Sequence, residues 1–248
     1  MSLRVMALKM GTLTLEKAFD GVAERTMIHE PIWAAAILGG EKRILVDTGL
    51  HDAQWISENC VPCSIAPEET MSAALASIGW EPEDVDIVVN THLHYDHVGN
   101  NPMFPRALFY TSRCEYETAF NPPASQAFLY ERTRQLYDAR GVAPQQWRLV
   151  EKETQLIPGV RLILTPGHTK GHVSVLVETE EGTVCIAGDA VMFMENIEKN
   201  YINVLHTSKE ACAQTYTQIC SRADAVFPGH SERIRPYQDR NYPATQIK

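Results

Sequence analysis

The sequence predicts an α/β fold, and three observations carry the prediction. Short apolar runs bounded by Gly, Pro, Asn or Asp recur along the 248 residues. Amphipathic segments with recognisable helix ends fall between several of these runs, and interleaved strands and helices build sheets covered by helices. Four of the runs are also followed within four residues by histidine or aspartate, which places polar chemistry just after strand ends rather than along strands.

The first strands are Val5–Leu8, Thr12–Leu15 and Arg43–Val46. A helix is expected over 67–79: Pro67 suits a first helical position, Glu68 and Glu69 favour the first turn, Met71, Leu75 and Ile78 line one face, and Gly79 closes it. Ile87–Val89 and Ala107–Tyr110 follow as strands. Ser125–Arg140 reads as a second helix, with Leu129/Leu136 and Tyr130/Tyr137 seven residues apart. Val160–Leu164, Val173–Val177 and Thr183–Ala187 are strands, the last two joined by a turn at Glu180-Glu181-Gly182. A third helix starts at Thr207, where Thr207 and Glu210 fit a capping box and Cys212, Tyr216, Ile219 and Ala223 recur at helical spacing. Ala225–Phe227 is the last strand. No repeat, low-complexity run or Gly/Ser linker divides the chain, so residues 1–248 read as a single domain.

Composition narrows the partners. With 22 Lys plus Arg against 31 Asp plus Glu the net charge is −9, and no basic cluster exceeds the pair Lys42–Arg43, so nucleic acid is not an expected partner. The longest apolar stretch, Ile32–Leu38, is far short of the ~20 residues that cross a bilayer, so no membrane partner is expected. The first residues lack the apolar core of an export signal, and a cytoplasmic location with reduced thiols is the expectation for the six cysteines. Cys60 and Cys63 are read as loop cysteines without an assigned role. Nothing in the sequence sets an oligomeric state.

The strand ends hold the chemistry. Ile87–Val89 runs into Asn90-Thr91-His92-Leu93-His94-Tyr95-Asp96-His97, Val160–Leu164 into Thr165-Pro166-Gly167-His168, Thr183–Ala187 into Gly188-Asp189, and Ala225–Phe227 into Pro228-Gly229-His230. Parallel placement of these strands brings all of the side chains to one sheet edge, where open α/β sheets bind ligands. Five histidines and two aspartates exceed one tetrahedral zinc and suit two adjacent metals. His29, His51, His172 and His206 lack a cluster partner, and His172 is expected to support a ligand rather than to be one.

Thr-His-Leu-His-Tyr-Asp-His, Pro-Gly-His-Thr-Lys-Gly-His, Gly-Asp and Pro-Gly-His, with Leu45-Val46-Asp47-Thr48-Gly49 upstream, together resemble the ordered motifs of the metallo-β-lactamase-fold hydrolases from about Pro31 to Ser231. The resemblance implies a four-layer αββα sandwich with two divalent metal ions at one edge. It places His92, His94 and His168 on the first metal, Asp96, His97 and His230 on the second, and Asp189 between them, with Asp47 orienting the site from its strand end. Zinc is the expected metal; manganese, iron(II) and cobalt suit the same donors.

Within that fold the chain is most similar to the quorum-quenching N-acyl-homoserine lactonases, through Pro31-Ile32-Trp33, Ile157-Pro158-Gly159-Val160, and Asp189-Ala190 followed by Glu195-Asn196. The activity implied is opening of a small-molecule lactone or ester by a metal-bridging hydroxide, with Asp96 as the catalytic proton carrier. One position departs: the lactonases generally carry a tyrosine three residues after the bridging aspartate, and here Met192 stands there. Tyr95 and Tyr201 are read as packing residues. The aromatic-rich stretch Glu115–Gln146 is expected to pack over the site as a helical insertion. Alternatives are hydrolysis of another small cyclic ester or amide, a glyoxalase-II-like thioesterase, a mono-iron persulfide dioxygenase, and a non-catalytic metal-binding protein.

Overall fold

The computed structural model describes residues 2–130 and 142–234 and the backbone of 245–246. Alternation within the two longest strands decides the architecture. In β1 (Arg4–Lys17), Met6, Leu8 and Met10 enter one apolar layer while Val5 and Ala7 enter another. In β2 (Thr26–Leu38), Ile32, Ala34 and Ala36 separate from Trp33, Ala35 and Ile37 in the same way. A sheet that is apolar on both faces must be covered on both.

β3 (Ile44–Val46), β4 (Cys63–Ser64), β5 (Ile87–Val89), β6 (Leu108–Ser112) and β7 (Trp147–Val150) complete a seven-stranded sheet in the order β4-β1-β2-β3-β5-β6-β7. β8 (Thr154–Ile157), β9 (Val160–Leu164), β10 (Val173–Thr179), β11 (Gly182–Gly188), β12 (Ala225–Pro228) and β13 (Thr245–Gln246) form the second, ordered β13-β12-β11-β10-β9-β8. Valines and isoleucines of β9 to β11 interlock with Val5, Ala35, Ile37 and Val46 between the sheets.

Helices cover the outer faces. Ile56 of α1 (Ala53–Asn59), Met71 and Leu75 of α2 (Met71–Ser77), Val98 of α3 (Tyr95–Val98) and Ala119 of α4 (Arg113–Phe120) pack on the first sheet. Across the molecule, beyond the short α5 (Glu195–Glu198), α6 (Lys209–Arg222) lays Cys212, Tyr216 and Ile219 on Ile163, Leu176, Cys185 and Val226 of the second. The result is the expected four-layer αββα sandwich.

Strand direction places the site. β9 and β11 are each antiparallel to β10, and β12 is parallel to β11, so β9, β11 and β12 run the same way and end at one edge. β3 and β5 are parallel in the other sheet. The parallel arrangement foreseen from the sequence therefore arises in the second sheet partly through two successive antiparallel pairings.

Several boundaries differ from expectation. Val5–Leu8 and Thr12–Leu15 are one strand with a register shift between Lys9 and Thr12. β2, β7 and β8 were not foreseen; Pro31 argues against a strand, but it sits opposite Thr12 at the end of that irregularity, where proline is tolerated. The helix expected over 67–79 is a 3-10 turn, Pro67–Glu69, followed by α2, which Thr70 caps. The helix after Thr207 is capped one residue later, at Ser208, because the Thr207 hydroxyl donates to the Gly167 carbonyl instead. Residues 127–130 are helical, and the rest of the Ser125–Arg140 reading lies mostly outside the described residues. Among the described residues no helix is long and apolar enough to cross a membrane.

Candidate metal centre

Each predicted ligand stands just beyond a strand end, where the backbone leaves its sheet. His92 and His94 follow β5, and Asp96 and His97 lie on α3, a single helical turn. His168 follows β9, Asp189 opens a 3-10 turn after β11, and His230 follows β12. All seven are buried, and three overlapping groups hold donor atoms within 4.8 Å of one another: His92/His94/His168, His92/His97/Asp189 and Asp96/His97/His230.

Asp189 lies between the groups. Its Oδ2 is 3.4 Å from His168 Nε2 and 3.9 Å from His92 Nε2, while its Oδ1 is 3.3 Å from His97 Nε2 and 3.1 Å from His230 Nε2. Asp96 Oδ2 stands 3.6 Å from both His97 Nε2 and His230 Nε2. One carboxylate thus faces both halves of the constellation, and the other faces only the second.

The far side of four rings is fixed by hydrogen bonds that choose the tautomer. His168 Nδ1 donates to the Leu205 carbonyl at 2.8 Å and His230 Nδ1 to that of Pro31 at 3.1 Å. His97 Nδ1 donates to Asp47 Oδ2 at 2.8 Å. The Thr91 hydroxyl gives its own proton to Asp47 and accepts from His92 Nδ1 at 3.1 Å. A neutral ring that donates from Nδ1 carries its lone pair on Nε2, so His92 and His168 present Nε2 inward as an acceptor, and His97 and His230 would do so once a cation takes the place of the Nε2 proton. Asp47 adopts φ 61°, a left-handed conformation that aspartate tolerates, and it also accepts the Thr91 N–H. This supporting role is the one the resemblance implied for it.

Electrostatics separate the histidines into two kinds. Burial and neighbouring rings push His92, His94 and His172 far below the ordinary imidazole value, and burial lowers His168 as well, so these rings are neutral donors. Burial opposes charge on His97 and His230 too, but Asp189 and the other carboxylates override it, raising His97 well above the usual value and His230 to about 9. Burial alone would raise Asp189; His230 and His97 instead hold it well below the usual carboxylate range. The carboxylates therefore call for positive charge in the middle of the cluster.

His94 Nε2, His97 Nε2 and Asp189 Oδ1 are buried and have no hydrogen-bond partner among the described residues. Leaving a buried polar atom unpaired costs about 1–3 kcal/mol, and His97 Nε2 and Asp189 Oδ1, 3.3 Å apart, fit a bound cation between them; His94 turns Nδ1 toward the other rings, 3.0 Å from His92 Nε2 and 3.2 Å from His168 Nε2. Imidazole and carboxylate donors suit divalent metals.

His172 is a support residue, as expected: its Nδ1 meets the Thr165 hydroxyl at 2.9 Å and its Nε2 accepts the Ala190 N–H at 3.2 Å. Met192 and Phe193 pack with Phe19, Val22, Ile28 and Tyr201, while Tyr95 is buried among the helices on the first sheet. Two carboxyl groups escaped the sequence reading. Glu30 is 1% exposed, with Oε2 unpaired among the described residues. Glu115 is fully buried beneath the His92–His94 segment. Ser112 and Glu115 have capping-box spacing, which could have flagged the start of α4 but not where the Glu115 side chain goes.

The model of the Metallo-beta-lactamase superfamily matches residues 29–230, which include every side chain of this cluster. The chain belongs to that superfamily. An N-acyl homoserine lactonase of Bacillus cereus is 31% identical over 183 residues, 69% of this chain and 68% of the relative. The human metallo-beta-lactamase domain-containing protein 1 is 31% identical over 205 residues, 82% of this chain and 63% of the relative. A solved N-acyl homoserine lactone hydrolase, with the product N-hexanoyl-L-homoserine at its catalytic metal center, matches with a TM-score of 0.78 at 22% identity, over 96% of this chain and 99% of the other. A probable metal-dependent hydrolase from Staphylococcus aureus matches with a TM-score of 0.79 at 18% identity, over 98% and 95% of the two chains. At these identities the structural likeness shows the fold. Within this superfamily, the buried His/Asp clusters imply divalent metals, and the chain is a metal-dependent hydrolase.

Proposed function

We propose that the protein opens N-acyl-homoserine-type lactones, using two divalent cations, zinc first among them. His92, His94 and His168 would hold one, Asp96, His97 and His230 the other, and Asp189 would contact both. The observation that carries this reading is the placement of Asp189, one oxygen toward His92 and His168 and the other toward His97 and His230. The 31% identity to a named lactonase supports the substrate class.

Bound there, the cations would supply Lewis acidity, lowering the pKa of a shared water to near ~7 and polarising the ester carbonyl. The chain's own residues supply orientation and proton transfer. The hydrogen bonds at Nδ1 of His92, His97, His168 and His230 hold the rings in place before substrate arrives. Asp96, whose side chain keeps 9% exposure, can take the proton from the attacking water. It returns that proton to the alcohol oxygen released when the ring C–O bond breaks. The product is the ring-opened hydroxy acid.

Met192 leaves no hydroxyl at the position where the lactonases place one, and Tyr130, the tyrosine against His94, already donates to Glu115. This favours a second reading: the preferred substrate is a lactone or cyclic ester bound without a tyrosine hydrogen bond. Proton release by zinc- or manganese-loaded protein, measured by pH indicator on acyl-homoserine lactones, simple γ-lactones and a glutathione thioester, tests both. Lactone opening abolished by a chelator is the expected result. Silence on every lactone with metal bound would refute the substrate class.

A further inference from the structure

We propose that Glu115 is a positioning residue that sets the distance between the two histidine loops and so tunes affinity for the cation held by His92, His94 and His168. The proposal rests on the ligand set given above. Glu115 opens α4 and is fully buried. Its Oε1 accepts the Leu93 N–H at 3.0 Å and the Tyr130 hydroxyl at 2.7 Å. Its Oε2 accepts the Thr169 hydroxyl at 2.6 Å, and the Gly171 N–H is a fourth donor. A carboxylate offers about four acceptor sites, so the group is saturated.

The donors matter because of where they sit. Leu93 lies between His92 and His94, at the end of β5 in the first sheet. Thr169 follows His168, beyond β9 in the second. One carboxylate therefore joins ligand loops from two different sheets, at the place where His94 Nδ1 and His168 Nε2 come within 3.2 Å. Tyr130 brings a third element to the same group, its ring edge-on to His94 at 4.6 Å between centroids. The docking is close: the Ser112 hydroxyl caps α4 and donates to the Gly171 carbonyl, and a Cβ on Gly171 would collide with the Glu115 backbone nitrogen.

A carboxylate is an expensive way to fill a buried space: burial pushes the Glu115 carboxyl above its ordinary value, and the four donors from three elements oppose that cost. The geometry thus fixes the positions of the flanking histidines rather than only filling volume. Glu115→Gln keeps the shape but turns one acceptor oxygen into an N–H₂ that cannot receive a backbone N–H.

The test is zinc titration against a chromophoric chelator, together with the visible spectrum of the cobalt(II) form and the unfolding midpoint after chelator treatment. Glu115→Gln is expected to weaken one of the two cations by about 10-fold or more and to shift the cobalt bands. Thr169→Val, which removes one of the two links to the His168 loop and leaves the Gly171 N–H, should shift both readouts in the same direction, and Tyr130→Phe, which leaves every link between the two loops in place, should shift them less. This pair carries the test if the glutamine variant does not fold. A lower unfolding midpoint with unchanged affinity and cobalt spectrum would overturn the proposal and leave Glu115 a purely structural group. So would equal effects of Thr169→Val and Tyr130→Phe. Wild-type protein that binds no zinc would instead refute the ligand set; wild type that binds two while every variant matches it would refute only the Glu115 role.

Discussion

Glu30 gives a quantitative test of how the strands around the site are packed. It lies in β2 beside Pro31, whose carbonyl holds His230, and it is 1% exposed with Oε2 unpaired among the described residues. Burial raises its carboxyl from 4.5 to about 7, with His230 and Lys17 opposing and Asp189 and Asp96 adding to the rise. Between pH 4.5 and about 7 the folded protein therefore keeps a proton that the unfolded chain has released. Stability contributed by that proton is complete below 4.5, falls as pH rises and levels off above about 7. At ~1.4 kcal/mol per tenfold, the full difference is roughly 3 kcal/mol, most of it between pH 5 and 8. Glu30→Gln removes the titration, and any fixed cost of the amide is the same at every pH. Urea unfolding of both proteins after chelator treatment should show the variant gaining roughly 2–3 kcal/mol relative to wild type from pH 5 to pH 8. A stability difference that does not change with pH would refute the reasoning and mean that Glu30 is ionised and solvated in the folded protein.

Two further predictions concern the cluster itself. Asp96→Asn should lower lactone turnover by about 100-fold or more with the unfolding midpoint of the chelator-treated protein within a few degrees of wild type, and unchanged kcat at full metal content would remove the proton-transfer role. In Gly229→Ala the new methyl would meet Asp189 Oδ1, so bound zinc, counted by elemental analysis, should fall while secondary structure by circular dichroism stays intact; two zinc ions per chain would show that the carboxylate has room to shift.

How much of this was legible in the sequence follows from the range of the interactions involved. His92, Asp189 and His230 each follow a short β-rich run, a local pattern that survives intact in β5, β11 and β12. The four-layer fold was reached through those motifs and their resemblance rather than from periodicity, since runs such as Ile32–Leu38 are apolar on both faces and fit helix or strand equally. β2 stayed hidden because Pro31 argues against a strand until the irregularity in β1 opposite it is known. Glu115 was hidden for a different reason. Its spacing from Ser112 marks a helix start, and only the packing of three distant segments turns the side chain inward. The Thr207 cap failed for a similar cause, since a tertiary contact with Gly167 took the hydroxyl that local chemistry would have used.

The three donor groups have a property that concerns cohesion more than catalysis. His92, His94, Asp96 and His97 belong to the first half of the chain, and His168, Asp189 and His230 to the second. None of the three groups is drawn from one half alone. The chemistry therefore sits on a seam, and neither half carries a partial version of it that could act by itself. Any opening that parts the two sheets dissolves all three groups together, so an ion that binds the assembled edge and not the separated halves tightens the seam in proportion to its affinity.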